Sequence, residues 1–569
     1  MQTIKQKIAA CLCVGIKEMG AAETPNAADL AAMLEYPPDP AMGDLALPCF
    51  RLSRTLRRAP VQIAATLASC LSGLYCVSRA EAVNGYLNIT LSDEYLTGQI
   101  LTDILTKDAR YGASDVGKGK TVVLDYSSPN VAKPFHIGHL GTTVIGHSIK
   151  KLHEFCGYTC VGINYLGDWG TQFGKLIVAY RKWGNREMVE AGGVDKLVEL
   201  YVRFHTEAET DKTLEDAARA EFHKLEQGDA ENTALWRWFV DISLIEYQKT
   251  YRQLDITFDS YKGESFYTDK MPAEVEKLRQ KGLLKIDDGA SIVDLSAYNM
   301  PPCLILKRDG STLYPTRDIA AAVYRQNTYH FDKAVYVTSA GQSLHFAQWF
   351  KVVELMGYDW YDKLVHVPYG TISVGGAKLA TRTGNVVLLK DLFRAAIDEV
   401  KAIMKEKNTD AADDETIAEA VGVGAIVFYY LSNNRIKDIN FVMEDALNFD
   451  GNTGPYAQYT YARTCAVLRK CSETGKDAFR ITAPEEATLL KVLARFPECV
   501  AAALSDYEPS IITRYILDVA AAFNRFYHNC QILCGDGDVT ATRVAITKAT
   551  NTVLRNAFPL ICLKAMEKI

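Results

Sequence analysis

The chain has 569 residues, but it contains no Cys-x-x-Cys pair, no long apolar run, no short repeat and no low-complexity tract, and no excess of positive charge. Its 14 cysteines are scattered, and the closest pairs are Cys11/Cys13, Cys156/Cys160 and Cys530/Cys534. None of these spacings suits a structural zinc site, so no protein-bound zinc is expected and the thiols read as free in a reducing cytosol. No segment approaches the roughly 20 apolar residues that span a bilayer, which argues against a membrane protein. A net charge of −6 excludes a bulk electrostatic binder of nucleic acid, though not a local basic face. At the N-terminus Lys5 and Lys7 precede Ile8–Ile16, loosely like a secretion signal, but Ile4, Ile8, Leu12 and Ile16 recur every four residues. That period predicts an amphipathic helix.

The segment Ser127-Ser-Pro-Asn-Val-Ala-Lys-Pro-Phe-His-Ile-Gly-His-Leu140 carries the most information. A β-branched run, Thr121–Tyr126, precedes it and reads as a buried parallel strand. Apolar residues at helical spacing follow, from Thr142 to Phe155. The segment is therefore a strand-to-helix crossover, where open α/β sheets bind ligands and helix amides favour phosphate. His136 and His139 share one face of the helix start, Gly138 lets a ligand approach the backbone, and Lys133 adds charge. Taken alone, His-x-Gly-His also fits two histidines capping a helix.

Residues 1–112 alternate helical and strand patterns, as a small α+β unit with an Asn84-Gly85 turn inside the Val83–Thr90 strand pattern. Residues 113–395 alternate strands and helices, as a doubly wound sheet, with a charged helical insertion at about 183–250. An Asp-Gly turn in Lys307–Thr312 predicts a hairpin between Leu304–Leu306 and Leu313–Tyr314. Residues 396–569 read as a helical bundle.

These motifs resemble the class I aminoacyl-tRNA synthetases, whose first signature is His-Ile-Gly-His, and SSPNVAKPFHIGHL with Asn164–Gly174 (NYLGDWGTQFG) resembles the arginyl-tRNA synthetase branch. The resemblance implies a Rossmann-like catalytic domain, an N-terminal domain touching the outer corner of tRNA, and an α-helical anticodon-binding domain. It implies arginine activation by Mg2+-ATP and transfer to the terminal adenosine of tRNA(Arg), in a cytoplasmic monomer with no membrane partner. His136, Gly138, His139 and Lys133 then serve the ATP phosphates. In that branch the lysine before the signature takes over part of the phosphate work. The second signature falls at Gly376–Val387, where Lys378 and Arg382 match its basic positions and follow the leaving pyrophosphate. Two positions depart from the family: Ala380 replaces a common serine, and Gly141 stands where arginyl enzymes often have arginine.

The same resemblance assigns the arginine pocket to Asp125, Ser128, Asn130, Tyr314, Asp318 and Gln342. Tyr314 and Asp318 are four residues apart, so one helical face can present both, and a guanidinium needs such planar acceptors. By itself Tyr-x-x-x-Asp is more often a helix cap beside a packed tyrosine. His345 reads as either a core or a nucleotide-side histidine. In the C-terminal part Tyr456, Tyr459, Tyr527 and Met566 match anticodon positions, with Arg463 nearby, and aromatics of this kind can stack splayed bases. The competing readings are another class I ligase, an RNA-binding paralogue without catalysis, and a simple nucleotidyltransferase.

Overall fold

A computed structural model describes residues 1–20, 25–374, 377–378, 387–406, 414–449, 451–471 and 479–569. The first helix, Gln2–Glu18, buries Ile4, Ile8, Leu12 and Ile16 completely, as the four-residue period requires. Strands β1 (Leu45–Pro48), β2 (Val77–Val83) and β3 (Tyr86–Leu91) form an antiparallel sheet in the order β1-β3-β2. Asn84 and Gly85 join β2 to β3 with φ of 51° and 83°, the positive values that a tight hairpin turn demands. The Val83–Thr90 pattern is thus two strands and not one.

The central sheet holds β4 (Thr121–Asp125) and β5 (Thr159–Ile163), and further along the chain β9 and β10. Between them come three insertion helices, Arg186–Thr210, Thr213–Glu226 and Ala230–Leu254. A small antiparallel sheet follows, made of β6 (Leu284–Asp287), β7 (Ala290–Val293) and β8 (Cys303–Leu306). The expected hairpin after β8 is only partly formed. Its turn exists and Leu306 bridges Thr312, but Tyr314 opens the helix Tyr314–Tyr329 instead of a strand. Pro315 in the first turn of that helix cannot donate to a ladder, while its fixed φ suits a helix start.

With β9 (Lys333–Ser339) and β10 (Leu364–Tyr369) the order becomes β10-β9-β4-β5, all parallel. The chain winds outward in both directions from the β4/β9 pair, so the switch point lies at the C-terminal ends of those two strands. Helix Ile137–Phe155 covers one face of the sheet, and Ser343–Leu355 the other. Trp349, Val352 and Val353 on the second helix are fully buried, each contributing about 1.5–3 kcal/mol by the usual transfer scale.

Strands β11 (Ile372–Val374), β12 (Ala377–Lys378) and β13 (Ile439–Phe441) make a third small sheet, β13 pairing in parallel with β11. The chain beyond residue 396 therefore returns to the sheet region once before becoming wholly helical. The N-terminal unit docks on the C-terminal helices. Lys5 pairs with Glu498 at 2.7 Å, Lys491 with Asp44 at 2.8 Å, and the Tyr111 hydroxyl donates to the Leu493 carbonyl. Among the described residues no helix is long and apolar enough to cross a membrane.

Candidate active site

The crossover from β4 bends sharply. Ser127, Ser128 and Ala132 all have positive φ, at 72°, 48° and 57°. Residues with side chains rarely adopt this region, and each such position costs on the order of 1–3 kcal/mol unless its surroundings impose it. The loop delivers His136 as the cap of helix Ile137–Phe155. The Gly138 amide donates to His136 Nδ1 at 3.1 Å, and the His136 amide donates to His139 Nδ1 at 3.2 Å. The two rings lie 3.9 Å apart.

Because both Nδ1 atoms accept from the main chain, the network assigns the proton of each neutral ring to Nε2. Burial keeps both rings neutral. It pulls His139 down to about 3, helped by His136 and Lys133, and lowers His136 with help from Lys133. The pair thus presents two N–H donors instead of two cations, with Lys133 exposed as the nearby positive charge. At Gly141 a side chain would collide with the Tyr430 hydroxyl, so the arginine common at this position in the family has no room here.

The second signature flanks this helix start. The Ile137 amide donates to the Val387 carbonyl at 3.1 Å, and the Leu389 amide donates to the Phe135 carbonyl at 3.0 Å. Lys378 lies in β12, whose backbone pairs with Ser373 of β11. Arg382 and Ala380 lie outside the described residues.

A cavity of about 640 Å³ opens at the switch point. It brings together Gly138, His139, Asp125, Ser128, Asn130, Tyr314, Asp318 and Gln342. Tyr314, Asp318, Ala321 and Arg325 line it from one helix, a stripe at i, i+4, i+7 and i+11. Tyr314 is exposed at the mouth, and Asp318 Oδ2 meets His345 Nε2 at 2.6 Å. His345 is therefore a partner of a pocket carboxylate. His136 is adjacent through its ring contact with His139 but does not line the cavity itself.

Asp125 lines the cavity with its charge already engaged: Arg325 Nη1 lies 2.8 Å from its Oδ2, and the Ser128 hydroxyl donates to its Oδ1 at 2.9 Å. Burial pushes the Asp125 carboxyl up and Arg325 opposes this. A guanidinium does not give up its proton, so the pair is ionic. The Arg325 guanidinium also lies 5.2 Å from the Tyr165 ring and 5.7 Å from that of Tyr336.

Glu264 is a pocket residue that sequence reasoning missed. Burial raises it to about 7, with Asp318 and Asp168 adding to the shift and Arg317, 2.6 Å away, opposing it. Nothing near it in the sequence marks it. Arg325 did carry a signal, being one polar position too many on the stripe from Tyr314. Among the described residues no group of three or more His, Cys, Asp or Glu side chains could hold a metal ion.

In the C-terminal bundle the Arg463 guanidinium lies 4.9 Å from both the Tyr459 and the Tyr527 ring. It also pairs with Asn524, whose amide donates to the Tyr456 hydroxyl at 2.9 Å. Tyr459 and Tyr527 remain exposed, while Met566 is half-buried against the core.

A doubly wound sheet with a His-x-Gly-His helix start at its switch point is the class I synthetase arrangement. The family model described as "tRNA synthetases class I (R), catalytic domain" matches residues 100–443. An arginyl-tRNA synthetase N-terminal domain model matches residues 2–91, and a DALR anticodon binding domain model matches 457–569. The chain belongs to the arginyl-tRNA synthetase family. It is 48% identical to an arginine–tRNA ligase of Clostridioides difficile and 46% identical to one of Alkaliphilus metalliredigens, each over 100% of both chains. A solved arginyl-tRNA synthetase of Thermus thermophilus shares the fold, with a TM-score of 0.83 at 24% identity over 99% of this chain and 100% of that one. One from Plasmodium falciparum gives 0.81 at 23%, over 100% of this chain and 99% of that one.

Proposed function

We infer that this chain is an arginine–tRNA ligase. The arginine carboxylate attacks the α-phosphate of magnesium-bound ATP, forming arginyl-adenylate and expelling pyrophosphate. A hydroxyl of the tRNA 3′-terminal adenosine then attacks the arginyl carbonyl and releases AMP. The enzyme supplies no covalent nucleophile, so positioning and electrostatics carry the rate.

The observation that carries this reading is that one cavity joins a phosphate-facing helix start to an acidic pocket. His136 and His139 donate through Nε2–H to the phosphate as it gains charge. Lys133 adds a cation on the same side, and Lys378 and Arg382 follow the pyrophosphate. Asp318 and Tyr314 take the guanidinium, with Glu264 and His345 at their backs. Ser128, Asn130 and Gln342 hold the other end of arginine. Asp125 acts through Arg325 and Ser128. Tyr459, Tyr527 and Arg463 offer faces on which anticodon bases stack, with Tyr456 and Met566 beside them. The N-terminal unit, residues 1–112, meets the outer corner of the tRNA. A cytoplasmic location fits the free thiols.

The test is ATP–pyrophosphate exchange with each of the twenty amino acids, with and without tRNA, followed by charging of tRNA(Arg). Arginine alone should support exchange and charging. Tight RNA binding with no AMP released would sink the ligase reading in favour of a binding paralogue.

A further inference from the structure

The signature loop is strained, and local bonds such as Ser128 to Asp125, with main-chain bonds to Gly167, account for only part of what holds it. Residues 127–133 run through three positive-φ positions with no regular ladder of their own. The last insertion helix, Ala230–Leu254, supplies a further set of contacts. Ser243, Tyr247 and Tyr251 sit at i, i+4 and i+8, so their side chains form a column along one face.

All three are fully buried or nearly so, and all three hydroxyls meet the loop. Ser243 Oγ accepts the Ala132 amide at 3.1 Å. The Tyr247 hydroxyl lies 2.7 Å from the Asn130 carbonyl and 2.8 Å from the Lys133 carbonyl, its one proton shared between them. The Tyr251 hydroxyl lies 2.7 Å from Ser127 Oγ and accepts from Asn164 at 2.9 Å. The rings also take part. Phe135 packs at 5.5 Å from Tyr247 and 5.7 Å from Tyr251, and stacks on His139 at 5.0 Å with 12° between planes.

We propose that the hydroxyl column Ser243–Tyr247–Tyr251 of the helical insertion is the mould that sets Lys133 and His139 in their reactive placement, with Tyr247 as its chief positioning residue. The insertion is then part of the activation machinery, although none of these three side chains lines the cavity. A buried tyrosine hydroxyl needs a partner in any protein, but a column of three placed on one strained loop is more than that need explains. The inference rests on the ligase reading.

Tyr247→Phe removes the hydroxyl and keeps the ring on Phe135. Pyrophosphate exchange with arginine, in the presence of tRNA, should lose about ten- to hundred-fold in kcat, the scale of a small misplacement of reacting groups. KM for arginine and ATP should stay within about twofold of wild type, since ground-state binding is not the target. The melting temperature should move only by what one lost hydrogen bond accounts for. A role that is merely structural would not produce this split. The decisive measurement is the cycle with Lys133→Ala. If Tyr247 acts by placing Lys133, the double variant falls little further than Lys133→Ala alone.

Wild-type kcat in Tyr247→Phe overturns the inference, and so does a double variant that loses the product of the two single effects. If Tyr247→Phe does not fold, Tyr251→Phe takes its place in the same cycle, with the same two outcomes. A wild-type protein that exchanges no pyrophosphate with arginine overturns the ligase reading itself, a result no variant can mimic.

Discussion

Replacing Arg325 by Met removes a guanidinium that is 1% exposed from a carboxylate that is 10% exposed. Water cannot take over the Asp125 charge at that depth, so the solvent screening that makes surface pairs nearly worthless does not apply. Breaking one side of such a pair costs about 3–5 kcal/mol. Some of that is recoverable: Ser128 still donates to Asp125, worth about 1 kcal/mol, and the carboxyl can take up a proton. Methionine fills part of the space beside Tyr165 and Tyr336 that the guanidinium now occupies. The expected net loss is therefore about 3 kcal/mol. Adding Asp125→Asn removes the stranded charge and should bring stability back to within about 1 kcal/mol of wild type. Urea unfolding of the four proteins reads the cycle, provided the slope is unchanged. Arginine KM in the same set separates two roles for Asp125. If its charge serves Arg325, Asp125→Asn changes KM little once Arg325 is already Met. If it grips the substrate, KM rises in either background. A single Arg325→Met variant that loses less than about 1 kcal/mol would refute the argument, because the pair would then behave as a solvated one.

Three further outcomes are expected. His139→Ala should slow arginine activation by about 10²–10³-fold with little change in arginine binding; because burial holds His139 near 3, its wild-type titration should leave no inflection between pH 6 and 7. Asp318→Asn should cost arginine about 3–5 kcal/mol in kcat/KM while lysine gains little, because the pocket still fits a planar fork; wild-type arginine kinetics in the variant would remove Asp318 from the pocket. Glu264 holds its proton up to about 7 when folded, against 4.5 when free, so the folded state binds more protons in that window and stability falls as pH rises through it, by about 3 kcal/mol at most. Glu264→Gln should flatten that slope in urea titrations and abolish any tightening of arginine binding as pH rises through 7.

Much of the catalytic frame could be read in the residues because it is local. A buried strand, a turn-rich segment and a helix with His136 at its cap follow one another within 35 residues, and each leaves its own period or cap signal. The helix Gln2–Glu18 and the Asn84-Gly85 turn were legible for the same reason. The likeness to arginyl-tRNA synthetases rested on such local strings. Where a local signal was read as the wrong element, at Leu313–Tyr314, Pro315 overrode the strand expected after the Asp-Gly turn.

Tertiary structure alone decided how the pocket charges are shared out. Asp125 and Arg325 are 200 residues apart, Glu264 and Arg317 more than 50, and Tyr247 and Asn130 117. No period links such positions. Each pairing exists because folding takes a charge or a hydroxyl out of water, and the group must then find its partner among whatever the packing has brought within 3 Å. Position along the chain could nominate Asp125 as an arginine ligand, but only the arrangement of the helix Tyr314–Tyr329 across the sheet could show that its charge already has a partner.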